Sequence, residues 1–274
     1  MSAPDASPTA VAGARQPGLP DARTLHTRYL LSLGDDALIY AQRLGEWLTH
    51  APQIEEDMAL GNVGLDLLGQ ARSLLTRAGE VEDAHPRRDE DALAMLRYER
   101  EFRNVHLVER PRGDFGQEMA RMLWFASYQY ELYTALLGSA DPTLAGVAQK
   151  AVKEVAYHRD HATQWVLRLG DGTPESHARV QAGLEAVHPY VQELGEDFDA
   201  ARWASEQGVG VLPSSLAASV NAYVGEVLEG ATLAMPDEPR WHARGGREGV
   251  HSGAMGLLLA ELQHIARSHP GATW

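Results

Sequence analysis

Asp141-Pro142 and Thr173-Pro174, with Gly170-Asp171-Gly172 just before the second pair, bracket one unbroken amphipathic stretch from Pro142 to Leu169. An acid or threonine at the N-cap with proline at the first helical position is a start signal, because proline lacks only an N–H that no helical partner would take. The glycines supply the stop. A helix of that span is about 40 Å long at 1.5 Å per residue. Helices this long are stable in water only when laid side by side, so the stretch points to a long-helix bundle rather than a packing of short helices.

The rest of the chain repeats the pattern. Thr24 to His50 carries Leu38, Ile39, Leu44, Trp47 and Leu48 at helical spacing, with a break expected at Gly34-Asp35. A second helix follows Pro52, led by Glu55, Glu56 and Asp57, whose charges suit a helix N-terminus. It carries Leu60, Val63, Leu67, Leu68, Ala71, Leu74 and Leu75 on one side and ends near Gly79. Further helices are expected over 89–108, from Asp114 to Leu137, from Thr173-Pro174 to His188 before Pro189, over 213–233 and over 251–268. The linker from Pro236 to Gly249 reads as an exposed loop. Strict apolar–polar alternation bounded by turn residues is absent, so no strand is expected. Residues 24–274 form one all-α domain, and the Pro/Ala/Gly-rich residues 1–23 a disordered extension with no signal-peptide pattern.

Composition narrows the chemistry. With no cysteine, disulfides, thiolate metal sites and Cys-ligated clusters are excluded. A net charge of −14 argues against nucleic acid and anionic lipid as partners. No stretch approaches the roughly 20 apolar residues of a membrane span, and a cytoplasmic location is expected.

Any metal would need His and carboxylate ligands, and di-iron helix bundles use Glu-x-x-His pairs, whose members lie on one helix face. The chain holds four: Glu82/His85, Glu185/His188, Glu248/His251 and Glu261/His264. Only the last lies within a well-marked helix, without a matching partner, and all four read as solvated or structural. The 142–169 helix places Ala151, Glu154, His158, His161 and Trp165 on one stripe. The simplest reading is a Glu154–His158 hydrogen bond one turn apart that satisfies a buried imidazole. Glu46, Asp66 and Glu131 are possible counterparts on the preceding helices.

Longer runs carry a resemblance: LGDDALIYAQRLGEWLTHAP, IEEDMALGNVGLDLLGQAR, DEDALAMLRYEREFRNVHLVERPRGDF, KAVKEVAYH, RLGDGT and LLLAELQHIARSHPGATW. Through them, residues 28–274 resemble the C subunits of phenylacetyl-CoA 1,2-epoxidases, which are bacterial multicomponent monooxygenases. The resemblance implies a ferritin-like fold and a structural subunit that pairs with a homologous A subunit. In such systems the A subunit holds the di-iron centre, a reductase carries FAD and an Fe–S cluster, and the assembly also includes a small B subunit. It implies no cofactor in this chain.

The residues fit that implication. Asp66-Leu67-Leu68-Gly69 stands where a metal-binding relative would carry Glu-x-x-His, and Glu154 is followed three residues later by Tyr157. His158 is displaced by one position, about 100° around the helix. Glu46, Asp66, Glu154 and His158 are therefore the candidates for a degenerate site. The competing expectation is an autonomous di-iron oxidase using Glu46, Glu154 and His158.

Overall fold

A computed structural model describes residues 20–272, so the expected extension lies almost wholly outside the described residues. Four long helices form the bundle: α1 (Ala22–Gly45), α2 (Ile54–Val81), α5 (Phe115–Leu136) and α6 (Pro142–Gly170). Between α2 and α5 lie two short helices, α3 (Glu90–Met95) and α4 (His106–Glu109). Then come α7 (Pro174–Val191) against α5, α8 (Asp199–Glu206) against α1, α9 (Ala217–Gly230) against α5 and α6, and α10 (Gly253–Ser268) against α3 and α4. No strand occurs among the described residues.

The caps act as the sequence predicts. Asp114 accepts from the Gln117 amide at 2.9 Å, Asp141 from Thr143 at 2.9 Å, and Thr173 from Ser176 at 3.1 Å. α1 and α2 pack as one antiparallel pair and α5 and α6 as another, and the pairs meet along the α1–α5 and α2–α6 seams. The bundle interior is apolar, with Leu30, Ile39, Leu60, Leu74, Leu123 and Val155 fully buried. Where α7 crosses α5, a Cβ on Gly183 would lie 2.6 Å from the Gln117 Cα, so only glycine permits that approach.

Four sequence expectations are corrected. α1 is continuous through Gly34-Asp35, because a carboxylate inside the helix leaves its backbone ladder intact when its charge is matched from outside. Asp35 is matched by Arg97, one of whose N–H groups donates at 3.0 Å, and Asp36 by Arg247 at 2.8 and 2.9 Å. All four side chains are buried.

The same carboxylates explain why 89–108 is not one helix. Asp35 accepts the Arg103 amide at 2.8 Å and Asp36 the Val105 amide at 2.9 Å, drawing residues 102–105 into extended backbone along α1. Helix α3 therefore stops at Met95.

Pro189 does not end α7, which runs on to Val191. In the last turn of a helix a missing N–H costs a single hydrogen bond. The 236–249 linker is exposed only in part: Ala243, Gly246 and Arg247 are buried, with the Gly246 amide donating to Glu193 at 2.8 Å.

Replacing Arg247 with methionine would leave Asp36 buried without its counter-charge. The expected loss is about 3–5 kcal/mol of unfolding free energy, read by urea denaturation.

Candidate functional site

Three helices each contribute an i,i+4 pair to the α2–α6 seam: Asp66 and Gln70 from α2, Gln129 and Tyr133 from α5, Glu154 and His158 from α6. His158 Nε2 lies 3.1 Å from Asp66 Oδ2. Gln70 donates its amide to Glu154 Oε2 at 3.0 Å, and Lys150 Nζ sits 3.1 Å from Glu154 Oε1. The Tyr133 hydroxyl donates to Gln70 Oε1 at 3.2 Å. The Glu154–His158 bond expected within α6 gives way to two bonds across to α2. One turn further along α6, His161 faces Glu56 at 3.2 Å, without the alignment of a hydrogen bond.

Burial holds the His158 pKa below the ordinary imidazole value, against the pull of the Asp66 carboxylate. Burial also lowers His161, with Glu56 opposing. Both rings are therefore neutral at pH 7, and the seam holds together as neutral imidazoles facing carboxylates.

The other candidates lie elsewhere. Glu46 is the C-cap of α1 and pairs with Arg43, whose remaining donors reach the Glu109 carbonyl. Glu131 lies 3.6 Å from Arg159, which is stacked between Tyr130 and Tyr223. The glutamate at the α1–α5 seam is Glu118, which takes the Tyr40 hydroxyl at 2.8 Å and the Trp47 indole at 3.0 Å and lies 3.2 Å from Arg121. Of the four Glu-x-x-His pairs, His251 binds Glu109 rather than Glu248, and Glu261 and His264 lie exposed on α10.

Among the described residues, no group of three or more His and carboxylate side chains converges as a metal would require. The donor chemistry of the seam also does not fit a di-iron centre. Such bundles supply four carboxylates and two imidazoles. Here Gln70, Gln129 and Tyr133 are neutral hydrogen bonders, and both Glu154 oxygens are already engaged, one by an ammonium. A Cβ on Gly69 would point at that ammonium, 3.7 Å away.

A second feature lies outside the sequence expectations. The core face of α2 runs through Leu60, Val63, Leu67, Ala71 and Leu74, all buried. A second stripe, Ile54, Met58, Gly61, Leu65 and Leu68, recurs at steps of four and three on the outer face. Ile54 is 72% exposed, Met58 66% and Leu65 67%. Leu68, expected among the core residues, is 47% exposed and belongs to this stripe. With Leu38, Ala41 and Gly45 of α1, the stripe lines an apolar groove of about 650 Å³. A Cβ on Gly61 would meet only Leu48, at 3.8 Å, so the groove floor leaves room for close approach by another backbone. The 4-3 spacing was the available signal. It marks α2 as a helix with two apolar sides, which a single partner face cannot cover.

The class is thus an all-α long-helix bundle with a hydrogen-bonded polar seam and an apolar outer face on α2. Residues 11–274 match the family described as phenylacetic acid catabolic protein, and the chain belongs to that family. It is 42% identical over 250 residues to the C subunit of the 1,2-phenylacetyl-CoA epoxidase of Escherichia coli strain K12, a match covering 90% of this chain and 98% of that one. No helix among the described residues is long and apolar enough to cross a membrane.

The seam makes a titration prediction. Because folding lowers the His158 pKa, the unfolded chain binds the extra proton first. The stability this group contributes is present above about pH 6.5 and is lost as the pH falls toward the depressed folded value. NMR titration should find His158 below the ordinary imidazole pKa, and D66N should lower it further by removing the carboxylate that opposes burial.

Proposed function

We propose that this chain is the structural C-type subunit of a phenylacetyl-CoA epoxidase, a ferritin-like partner to a di-iron A subunit in aerobic phenylacetate breakdown. The observation that carries the pairing is the second apolar stripe of α2. Monomeric helix-bundle proteins rarely leave so regular a row of large apolar side chains in water. A stripe at 4-3 spacing beside a glycine floor suits a long helix of another subunit, and obligate interfaces resemble a core cut in half. The non-catalytic part of the proposal is supported by the seam, where amide and ammonium groups occupy the carboxylate that a metal would need.

In this reading the chain contributes architecture. It holds the A subunit through the α1–α2 face, while iron, flavin and iron–sulfur chemistry reside in the A subunit and the reductase. The small B subunit docks on the assembly, and the complex is cytoplasmic. The net charge of −14 steers association with a more basic surface, so complex formation should weaken as ionic strength rises.

Co-expression with a candidate A subunit tests the pairing. Leu65→Asp should weaken co-purification by a hundredfold or more, since burying one leucine is worth up to about 3 kcal/mol and an unpaired carboxylate costs more. The variant should keep its circular dichroism, because Leu65 makes no core contact. Metal analysis of the purified chain should find substoichiometric iron. Two irons per chain, with oxygen consumption in the absence of any partner, would instead establish an autonomous di-iron oxidase.

A further inference from the structure

The start of α1 carries a small cavity of about 180 Å³, with Thr24, Thr27 and Arg28 on one wall and Arg103 on another. Five other charged groups also line it. Their charges are matched: Arg88 binds Glu82 and lies 3.5 Å from Glu101, Arg97 binds the buried Asp35, and Asp83 binds Arg23 at 2.6 Å. Arg28 and Arg103 are different. Neither forms an ion pair with any described residue. The Arg103 side chain donates only through Nη1, to the carbonyls of Arg100 and Phe102 at 2.7 Å each, and the Arg28 side chain donates no hydrogen bond to a described residue.

We propose that Arg28 and Arg103 form a binding site for a phosphate-type oxyanion at the start of α1. The arrangement needs an explanation, because the chain as a whole carries an excess of 14 negative charges, and Glu82, Asp83 and Glu101 line the same cavity, yet neither of these two guanidinium groups is ion-paired. Burial lowers the Arg103 pKa, and the neighbouring Arg28 charge lowers it further, while Asp35 and the exposed Glu248 pull the other way. The two cations therefore destabilise one another in the unliganded chain.

An oxyanion placed between them reverses that sign. The planar guanidinium fork matches a phosphate group bidentately, and the Arg103 Nε and Nη2 and all the Arg28 donors remain to make such bonds. The cavity has the size of a phosphate or a pyrophosphate rather than of a whole nucleotide, so the remainder of a larger ligand would lie on the surface. The buried Thr27 hydroxyl beside Arg28 has no hydrogen-bond partner among the described residues, which leaves the wall with unused polar capacity.

Titration calorimetry of the full-length chain with sodium pyrophosphate is the test. Saturable binding is expected, weakened at least tenfold in R28Q and unchanged in K150Q, whose charge lies on α6. R28Q removes no hydrogen bond within the described chain, so it should fold, and circular dichroism verifies that. Inorganic phosphate and coenzyme A, run as separate arms, distinguish the source: a free anion binds through phosphate alone, whereas a nucleotide-borne phosphate binds more tightly as coenzyme A. The proposal is overturned if none of the three anions binds at millimolar concentration, or if R28Q binds as tightly as the unaltered chain.

Discussion

Two adjacent carboxylates in the middle of α1, Asp35 and Asp36, organise the irregular segments that lie against that helix. Ionised groups this deep would be prohibitively costly unless each met an opposite charge and enough donors to replace its water. Arg97 and Arg247 supply the charges, from segments 62 and 211 residues away in sequence. The Arg103 and Val105 amides supply further donors. Residues 97–105 and 246–248 are thereby tied to one helix. Arg247 extends the tie by donating to the carbonyls of Ser32 and Arg103.

Two further carboxylates continue this network. Glu193 binds the His106 amide at 2.7 Å and its ring at 2.9 Å, and also the Gly246 amide. Glu109 binds the His251 ring and the Ser252 amide, each at 2.7 Å. In each case a buried acid satisfies backbone that has left regular helix, so the irregular stretches stay ordered without a ladder of their own. Burial works to raise both carboxyl pKa values, and the histidine and amide partners outweigh it, holding both below the usual range. Packing and electrostatics thus divide the work: apolar faces join the helices into one core, and paired charges fix the irregular segments between them.

The seam between α2 and α6 sits at the other extreme. Its hydrogen bonds are modest and incomplete: a lysine reaching in from the surface balances Glu154, while Glu56 Oε2, Gln129 Oε1 and His161 Nε2 have no hydrogen-bond partner among the described residues. The outer face of α2, by contrast, carries large apolar side chains, Ile54, Met58 and Leu65, that no other described element covers.

The reach of sequence reasoning followed the range of the interactions. The long helices and their caps were legible because capping and amphipathic periodicity are local: Asp114, Asp141 and Thr173 act within three residues of themselves. Asp66, Glu154 and His158 were correctly drawn to one region because helical spacing fixes which residues share a face. Glu46 was not, because its fate depended on Arg43 and on where α1 ends. The outer stripe of α2 was written in the spacing of Ile54, Met58, Leu65 and Leu68, but spacing cannot tell which of two apolar sides meets the core. The sequence by itself therefore determined the all-α class and the existence of the long helices, with their N-caps. Only the tertiary structure decided that Asp35 and Asp36 lie in a continuous helix and unmake the helix expected over 89–108. A buried charge is resolved by partners far along the chain, and no local pattern records where those partners come to rest.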